Sequence, residues 1–320
     1  MQPSFRFPRL LLLALLTLVL VACGAPGIAP APTAAPLPSP TVVVKGPIRV
    51  GSKNFTEQFI VAEMYAQLLA NAGFTVEKKL NLGDTAMAHA ALTGDTIDMY
   101  PEYTSTGLQA VLNNTTRFTD ARQIYNTVKQ GYAEKFSLIW LEPAPFNDTT
   151  TFVTTSEIAN RYALKTFSDL AKQASELRLG GPPEFPGRQD NQAVDKLYGG
   201  FIGSFKEFKP LGSGVQRYDA LRRGDVDVVV GFGTDGRIKA DRLVVLEDDK
   251  TGYPIYNIAP VVRANVLQQY PEIADILNRL APLLTDDVMA GLNYQVDGPD
   301  LEQPSEVARA FLEQQGLFRK

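Results

Sequence analysis

The chain has 320 residues, 45% of them apolar and 21% charged, which fits a globular protein larger than one average domain. Its formal charge of −4, with no basic stripe or Lys/Arg cluster, excludes a nucleic-acid binder. A single cysteine excludes an internal disulfide, a thiolate zinc site and an iron–sulfur cluster, each of which needs several thiolates.

That cysteine follows a leader. Arg6 and Arg9 precede the apolar run Leu10 to Ala22, which is too short to cross a hydrocarbon layer of about 30 Å and reads as a signal peptide over 1–22. Losing Arg6 and Arg9 with it takes the formal charge from −4 to −6. The end of the leader, Leu20-Val21-Ala22-Cys23, resembles the lipobox of bacterial lipoproteins, which implies that Cys23 becomes the acylated first residue; the bland alternative is a small buried hydrophobe. Residues 23–46 carry six prolines among Ala, Thr and Ser. They cannot bury enough apolar surface to fold and form an extended tether.

From Pro47 the pattern changes. A short strand, Pro47 to Gly51, leads to a helix over Thr56 to Ala72, closed by Gly73 and followed by an alternating strand, Phe74 to Leu80. A helix over Asp84 to Thr93 runs through Gly94-Asp95 into a strand at Ile97 to Tyr100. Strand–helix alternation of this kind indicates a sheet covered by helices. Ala91-Leu-Thr-Gly-Asp-Thr-Ile-Asp98 is echoed by Ala220-Leu-Arg-Arg-Gly-Asp-Val-Asp227 before the buried strand Val228 to Val230, and two such units far apart suggest two similar α/β lobes. Between them come a strand at Thr151 to Thr155, a helix over Ser168 to Glu176, a strand at Leu177 to Leu179 and the Gly/Pro-rich loop Gly180 to Gly187. After Val261-Val262-Arg263 the chain is nearly all helical, with helices over Pro271 to Ala281, Thr285 to Tyr294 and Ser305 to Gln315 that return to the first lobe. The expected organisation is therefore lobe 1 over 47–148, lobe 2 over 149–256 and a return to lobe 1 over 257–320. A ligand would sit in the cleft between lobes.

Gly51-Ser-Lys-Asn-Phe-Thr-Glu-Gln58, Asn81-Leu-Gly83, Tyr100-Pro-Glu-Tyr-Thr-Ser-Thr-Gly107, Thr234-Asp-Gly236 and Ala259-Pro-Val-Val-Arg263 together resemble the glycine betaine, choline and carnitine binding proteins of ABC importers. The likeness runs from about Ile48 to the C-terminal helices. It implies a two-lobed periplasmic-binding-protein fold of type II, with two crossover strands, closing on its ligand by hinge motion. It implies a monomeric lipoprotein outside the cytoplasm that takes a small zwitterionic osmoprotectant to ABC permease subunits, without cofactor, metal or catalysis.

By the same resemblance Lys53, Thr106 and Arg188 would hold the ligand's carboxylate, while Tyr103, Phe232 and Tyr256 would wall its quaternary ammonium. The chemistry fits: a trimethylammonium group donates no ordinary hydrogen bond, and ring faces attract it by about 2 kcal/mol when desolvated. Each residue also has a plainer reading. Lys53 and Arg188 would be solvated surface charges, Thr106 a helix N-cap, and the three rings core packing at strand ends. Asp148 would support a cation by Coulomb attraction or cap a turn. Two departures stand out: Thr150 occupies a position where relatives carry a cage tyrosine, and Phe232 has no hydroxyl. Losing one ring face weakens quaternary ammonium binding by about 0.5–2 kcal/mol, so either affinity is low or the ligand is a different zwitterion.

Other functions fit less well. A hydrolase would have to use His89, the only histidine, inside the apolar stretch Ala86 to Ala91, with no Gly-x-Ser-x-Gly turn in the chain. Paired acids such as Asp95/Asp98 and Asp225/Asp227 read as structural capping. A lipoprotein of the same fold that reports ligand to a membrane sensor is not separable from a transport component by sequence.

Overall fold

The computed structural model describes residues 45–183, 185–212 and 215–318, so the leader, Cys23 and the tether up to residue 44 lie outside the described residues. β1 (Lys45–Gly51) already contains Lys45 and Gly46, two residues expected in the tether. Lys45 is held in register with Phe74 and its ammonium lies 2.6 Å from Glu272. α1 (Thr56–Asn71) buries Ile60, Val61, Met64, Leu68 and Leu69, a stripe that faces the core. Gly73, at φ 90°, turns the chain into β2 (Phe74–Lys79). α2 (Thr85–Thr93) is capped by Asp84, which accepts from the Met87 amide at 3.0 Å.

β3 (Met99–Tyr103) begins and ends later than the strand expected at Ile97 to Tyr100, and it passes through Pro101. The proline is tolerated because its antiparallel partner is Pro260, so the ladder asks neither position for an N–H. α3 (Thr104–Thr106) continues as a π-helical turn over Gly107–Val111, and Thr106 caps nothing. α4 (Ala121–Phe136) has no counterpart among the elements expected from sequence; Asp120 caps it and Ile124, Tyr125, Val128 and Tyr132 are its buried face. β4 (Leu138–Trp140) completes the first passage through lobe 1.

Lobe 2 contains β5 (Thr150–Thr154), α5 (Ser156–Tyr162), α6 (Phe167–Gln173), β6 (Arg178–Gly181), α7 (Gln189–Leu197), β7 (Glu207–Pro210), α8 (Gln216–Arg223), β8 (Val228–Phe232), α9 (Gly236–Ala240) and β9 (Val244–Val245). The chain then returns through β10 (Ile258–Arg263), α10 (Ala264–Gln269), α11 (Glu272–Asn278), α12 (Asp286–Asp297) and α13 (Pro304–Gln314).

Each lobe has a five-stranded sheet, ordered β2-β1-β3-β10-β4 in lobe 1 and β7-β6-β8-β5-β9 in lobe 2. In each, three strands are parallel and the next two positions add antiparallel pairing, β10 against β3 and β4, and β5 against β8 and β9. The sequence echo marks equivalent places. Arg49 gives its backbone amide, Nε and Nη2 to Asp98, and Arg178 gives the same three groups to Asp227, each pair 49 residues apart. These acids do structural work, as expected. His89 is also structural: it packs edge-on against Tyr132 and Phe136, and burial lowers its basicity.

Two segments join the lobes, 141–149 and 246–257. These two crossings run as irregular chain and are bonded to each other: the Tyr256 amide donates to Asn147 Oδ1 at 2.8 Å and Thr149 Oγ1 to the Pro254 carbonyl at 2.8 Å. Away from them α9 of lobe 2 touches α12 of lobe 1, where a Cβ on Gly236 would lie 2.6 Å from the Tyr294 backbone and Lys239 pairs with Asp287 at 2.7 Å. The architecture is the two-lobed, type II α/β arrangement that the resemblance implies.

Candidate functional site

Between the lobes, beside both joining segments, lies a cavity of about 240 Å³. Lobe 1 contributes Lys53, Tyr103 and Thr106, lobe 2 contributes Thr150, Arg188 and Phe232, and the joining segments contribute Asp148 and Tyr256. Every ligand residue singled out from the sequence therefore lines one space. Phe55, Tyr253 and Pro254 complete the lining; they were not singled out, although Phe55 lies within a quoted motif.

Strand ends explain the convergence. Lys53 and Phe55 follow β1, Tyr103 ends β3, and Phe232 ends β8. Thr150 opens β5 directly opposite Phe232 in the β5–β8 register, so the residue that replaces an aromatic wall is the cross-strand neighbour of another wall.

Lys53 is not a surface charge; it is 5% exposed. Its ammonium lies 2.6 Å from Glu102 Oε1, 3.4 Å from Thr85 Oγ1 and 4.7 Å from the centroid of the Tyr103 ring. Glu102 is fully buried and also accepts from Tyr100 OH at 3.0 Å and the Tyr103 amide at 2.7 Å. The positive charge of Lys53 is thus balanced inside the protein, 49 residues away in sequence, a pairing that no local pattern reveals.

The rings are held by polar anchors. Tyr103 donates its hydroxyl to Glu57 Oε1 at 2.7 Å and stacks on Phe55 with centroids 6.2 Å apart. Phe232, 38% exposed, presents its ring to the cleft while its amide donates to Asp235 Oδ2 at 2.8 Å. The same Asp235 oxygen accepts from Tyr218 OH at 2.5 Å and from Arg217, whose guanidinium sits 5.7 Å from the Phe232 ring centroid. Arg188 precedes α7 and is exposed at the cleft edge.

Two acids face the cleft. Asp148 accepts from Thr234 Oγ1 at 3.0 Å, and burial together with the neighbouring Glu57 charge pushes its carboxyl well above the usual range. Burial also raises Glu57, against the hydrogen bonds it accepts from Tyr103 and Asn293. Among the described residues no group of His, Cys, Asp and Glu is placed to hold a metal ion. A larger cavity, about 300 Å³, lies behind Tyr253 and Pro254 and is lined by Leu108, Phe118 and Arg117. It is mostly apolar and has no pair of opposite charges, so the 240 Å³ cavity is the better candidate.

Residues 46–314 match the protein family described as the substrate binding domain of ABC-type glycine betaine transport systems. A glycine-betaine-binding protein of Pseudomonas aeruginosa is 35% identical over 281 residues, 85% of this chain and 88% of that one. A carnitine transport binding protein of Listeria monocytogenes is 32% identical over 278 residues, 86% and 88% of the two chains. A crystal structure of a glycine betaine/carnitine/choline ABC transporter protein superposes with a TM-score of 0.78 at 31% identity, covering 85% of this chain and 100% of the other. A match of this length, carried by the whole folded part, establishes that the chain belongs to the family of substrate-binding domains of ABC-type glycine betaine transport systems.

Proposed function

We propose that this protein captures a small quaternary-ammonium or related zwitterionic osmoprotectant of the glycine betaine, carnitine or choline type outside the cytoplasm and delivers it to an ABC permease, without catalysing a reaction. The supporting observation is the single cavity in which the Tyr103, Phe232 and Tyr256 rings meet Arg188, Lys53 and Asp148. Ring faces and Asp148 suit a methylated cation, and Arg188, whose planar fork fits a carboxylate, suits the other end. Lys53 offers a hydrogen bond more than a charge, since Glu102 neutralises it. Because both lobes contribute, a ligand that touches all of these groups binds the closed form more tightly than the open one and shifts the population toward it. Cys23 and the tether fit a monomer fixed to the membrane by acyl chains, where the closed form meets its permease.

Thr150 favours one variation on this reading: the open side opposite Phe232 leaves room for a head group bulkier than trimethylammonium. Calorimetric titration of the full chain with glycine betaine, choline, carnitine and proline betaine separates the two. Arg188→Ala and Tyr256→Ala are each expected to weaken the preferred ligand by about 2 kcal/mol or more, roughly 30-fold. Unchanged affinity in both variants would remove this cavity from consideration.

A further inference from the structure

The ligand cavity shares Phe55, Asp148 and Phe232 with a second chamber of about 390 Å³, into which Glu57 and Asn293 also face. Four acids, Glu57, Asp148, Asp235 and Asp297, line it against one cation, Arg217. Asn293 spends its amide group on Glu57 Oε2 at 2.9 Å and the Thr234 carbonyl at 3.0 Å, and its own Oδ1, in a side chain 7% exposed, receives no donor among the described residues. Glu57 accepts on both oxygens yet has no cation as a partner among its hydrogen bonds.

Two cations lie near, each already paired with an acid, and Arg217, which lines the chamber, keeps Nε and Nη1 without a hydrogen-bond partner among the described residues. Lys53 is paired with Glu102, and Arg217 with Asp235. Asp235, just before α9, and Asp297, at the end of α12, face the same chamber and add negative charge, Asp297 being held by Thr56 Oγ1 at 2.7 Å. Tyr103 stays neutral because burial and the Glu57 charge oppose its ionisation. Arg188 is exposed at the far edge of the ligand cavity and does not line this chamber. Burial and the Glu57 and Asp235 charges raise the proton affinity of the part-buried Asp148, against the Lys53 charge, while burial and the Asp235 charge raise that of Glu57.

Resting on the function proposed above, we infer that Glu57 and Asp148 act as a proton-holding pair for the ligand site: one carboxyl keeps its proton in the empty cleft, and a cationic head group arriving against Phe55, Tyr103 and Phe232 displaces that proton to solvent. Glu57 is then a positioning residue that acts on the ligand through its bond to Tyr103 and its charge near Asp148. The site reads positive charge as such, because an uncharged molecule of the same shape gains nothing from releasing the proton. Affinity for a cation rises with pH through the pair's titration and levels off above it.

The test uses the full chain in detergent, titrated calorimetrically with choline and with its uncharged isostere 3,3-dimethylbutan-1-ol, between about pH 5 and 8 in buffers of different ionisation enthalpy. Choline affinity is expected to rise toward tenfold per pH unit, with release approaching about one proton per choline, while the isostere stays level. Asp148→Asn should remove the slope, and Glu57→Gln should move it to lower pH by taking away one repelling charge. Choline binding that is level with pH, with heats independent of buffer, would overturn the inference and leave the ligand site standing. A Glu57→Gln profile identical to that of the unaltered protein would overturn the role of Glu57. Absence of binding by glycine betaine, choline, carnitine and proline betaine at every pH would overturn the function proposed above, and this inference with it.

Discussion

Replacing Lys53 tests whether it grips the ligand or mainly neutralises Glu102. With 2.6 Å between ammonium and carboxylate, their attraction is about 6 kcal/mol at an effective dielectric of 20. Removing both ions from water costs several kcal/mol each, so the pair contributes little net stability, whereas breaking it from one side costs about 3–5 kcal/mol. Glu102→Gln keeps one acceptor oxygen for the Tyr103 amide and turns its NH2 toward the Tyr100 hydroxyl, but strands a buried ammonium. Lys53→Met strands a carboxylate. The double variant removes both charges, so it should recover at least half of the summed loss. A double-mutant cycle in urea unfolding of the unliganded protein should give a coupling of about 2 kcal/mol or more. Additive losses would refute the neutralised-pair account. So would a double variant that loses as much ligand affinity as Arg188→Ala, because that result would make Lys53 a ligand-binding cation.

Further outcomes follow from the same geometry. Thr150→Tyr places a ring beside Phe232 and should tighten choline by about 0.5–2 kcal/mol, up to about 30-fold; calorimetry showing no gain would mean that the natural ligand's head group is not a trimethylammonium. Glu57 has a raised proton affinity in the fold, so its stabilising contribution is complete below the unfolded value near 4.3 and is lost as pH rises through the folded value. Glu57→Gln should therefore raise the unliganded Tm relative to the unaltered protein at about pH 8, with the gain shrinking toward about pH 4 in thermal scans. Gly236→Val puts a side chain 2.6 Å from the Tyr294 backbone, which cannot give way as a side chain would. It should wedge α9 from α12, widen the cleft in small-angle scattering and weaken the ligand several-fold; a fully closed variant would refute this.

Legibility tracked the range of the forces involved. α1 and the C-terminal helices announce themselves by apolar spacing, and Asp84 and Thr285 cap their helices through bonds to residues three positions on. α4 was harder: half of its surface is polar, its buried face is four residues wide, and its packing against Trp140 is tertiary. β3 was misplaced because Pro101 argues against a strand until its partner, Pro260, is known. In the cleft, the gathering of Lys53, Tyr103, Arg188 and Tyr256 was reached through family likeness, since no periodicity could bring together residues so far apart. The Glu102 counter-charge, the Glu57 anchor of Tyr103 and the Tyr253 wall depend on the third dimension alone.

The insertion of lobe 2 within lobe 1 governs the order in which the molecule can be assembled as the chain is made amino end first. All five strands of the lobe 2 sheet lie within residues 150–245, so that half can pair as soon as it emerges. Lobe 1 must wait: β10, which joins β3 to β4, lies at 258–263, just after Tyr256. Until that late strand is in place, lobe 1 remains an incomplete sheet and the cleft lacks one of its walls.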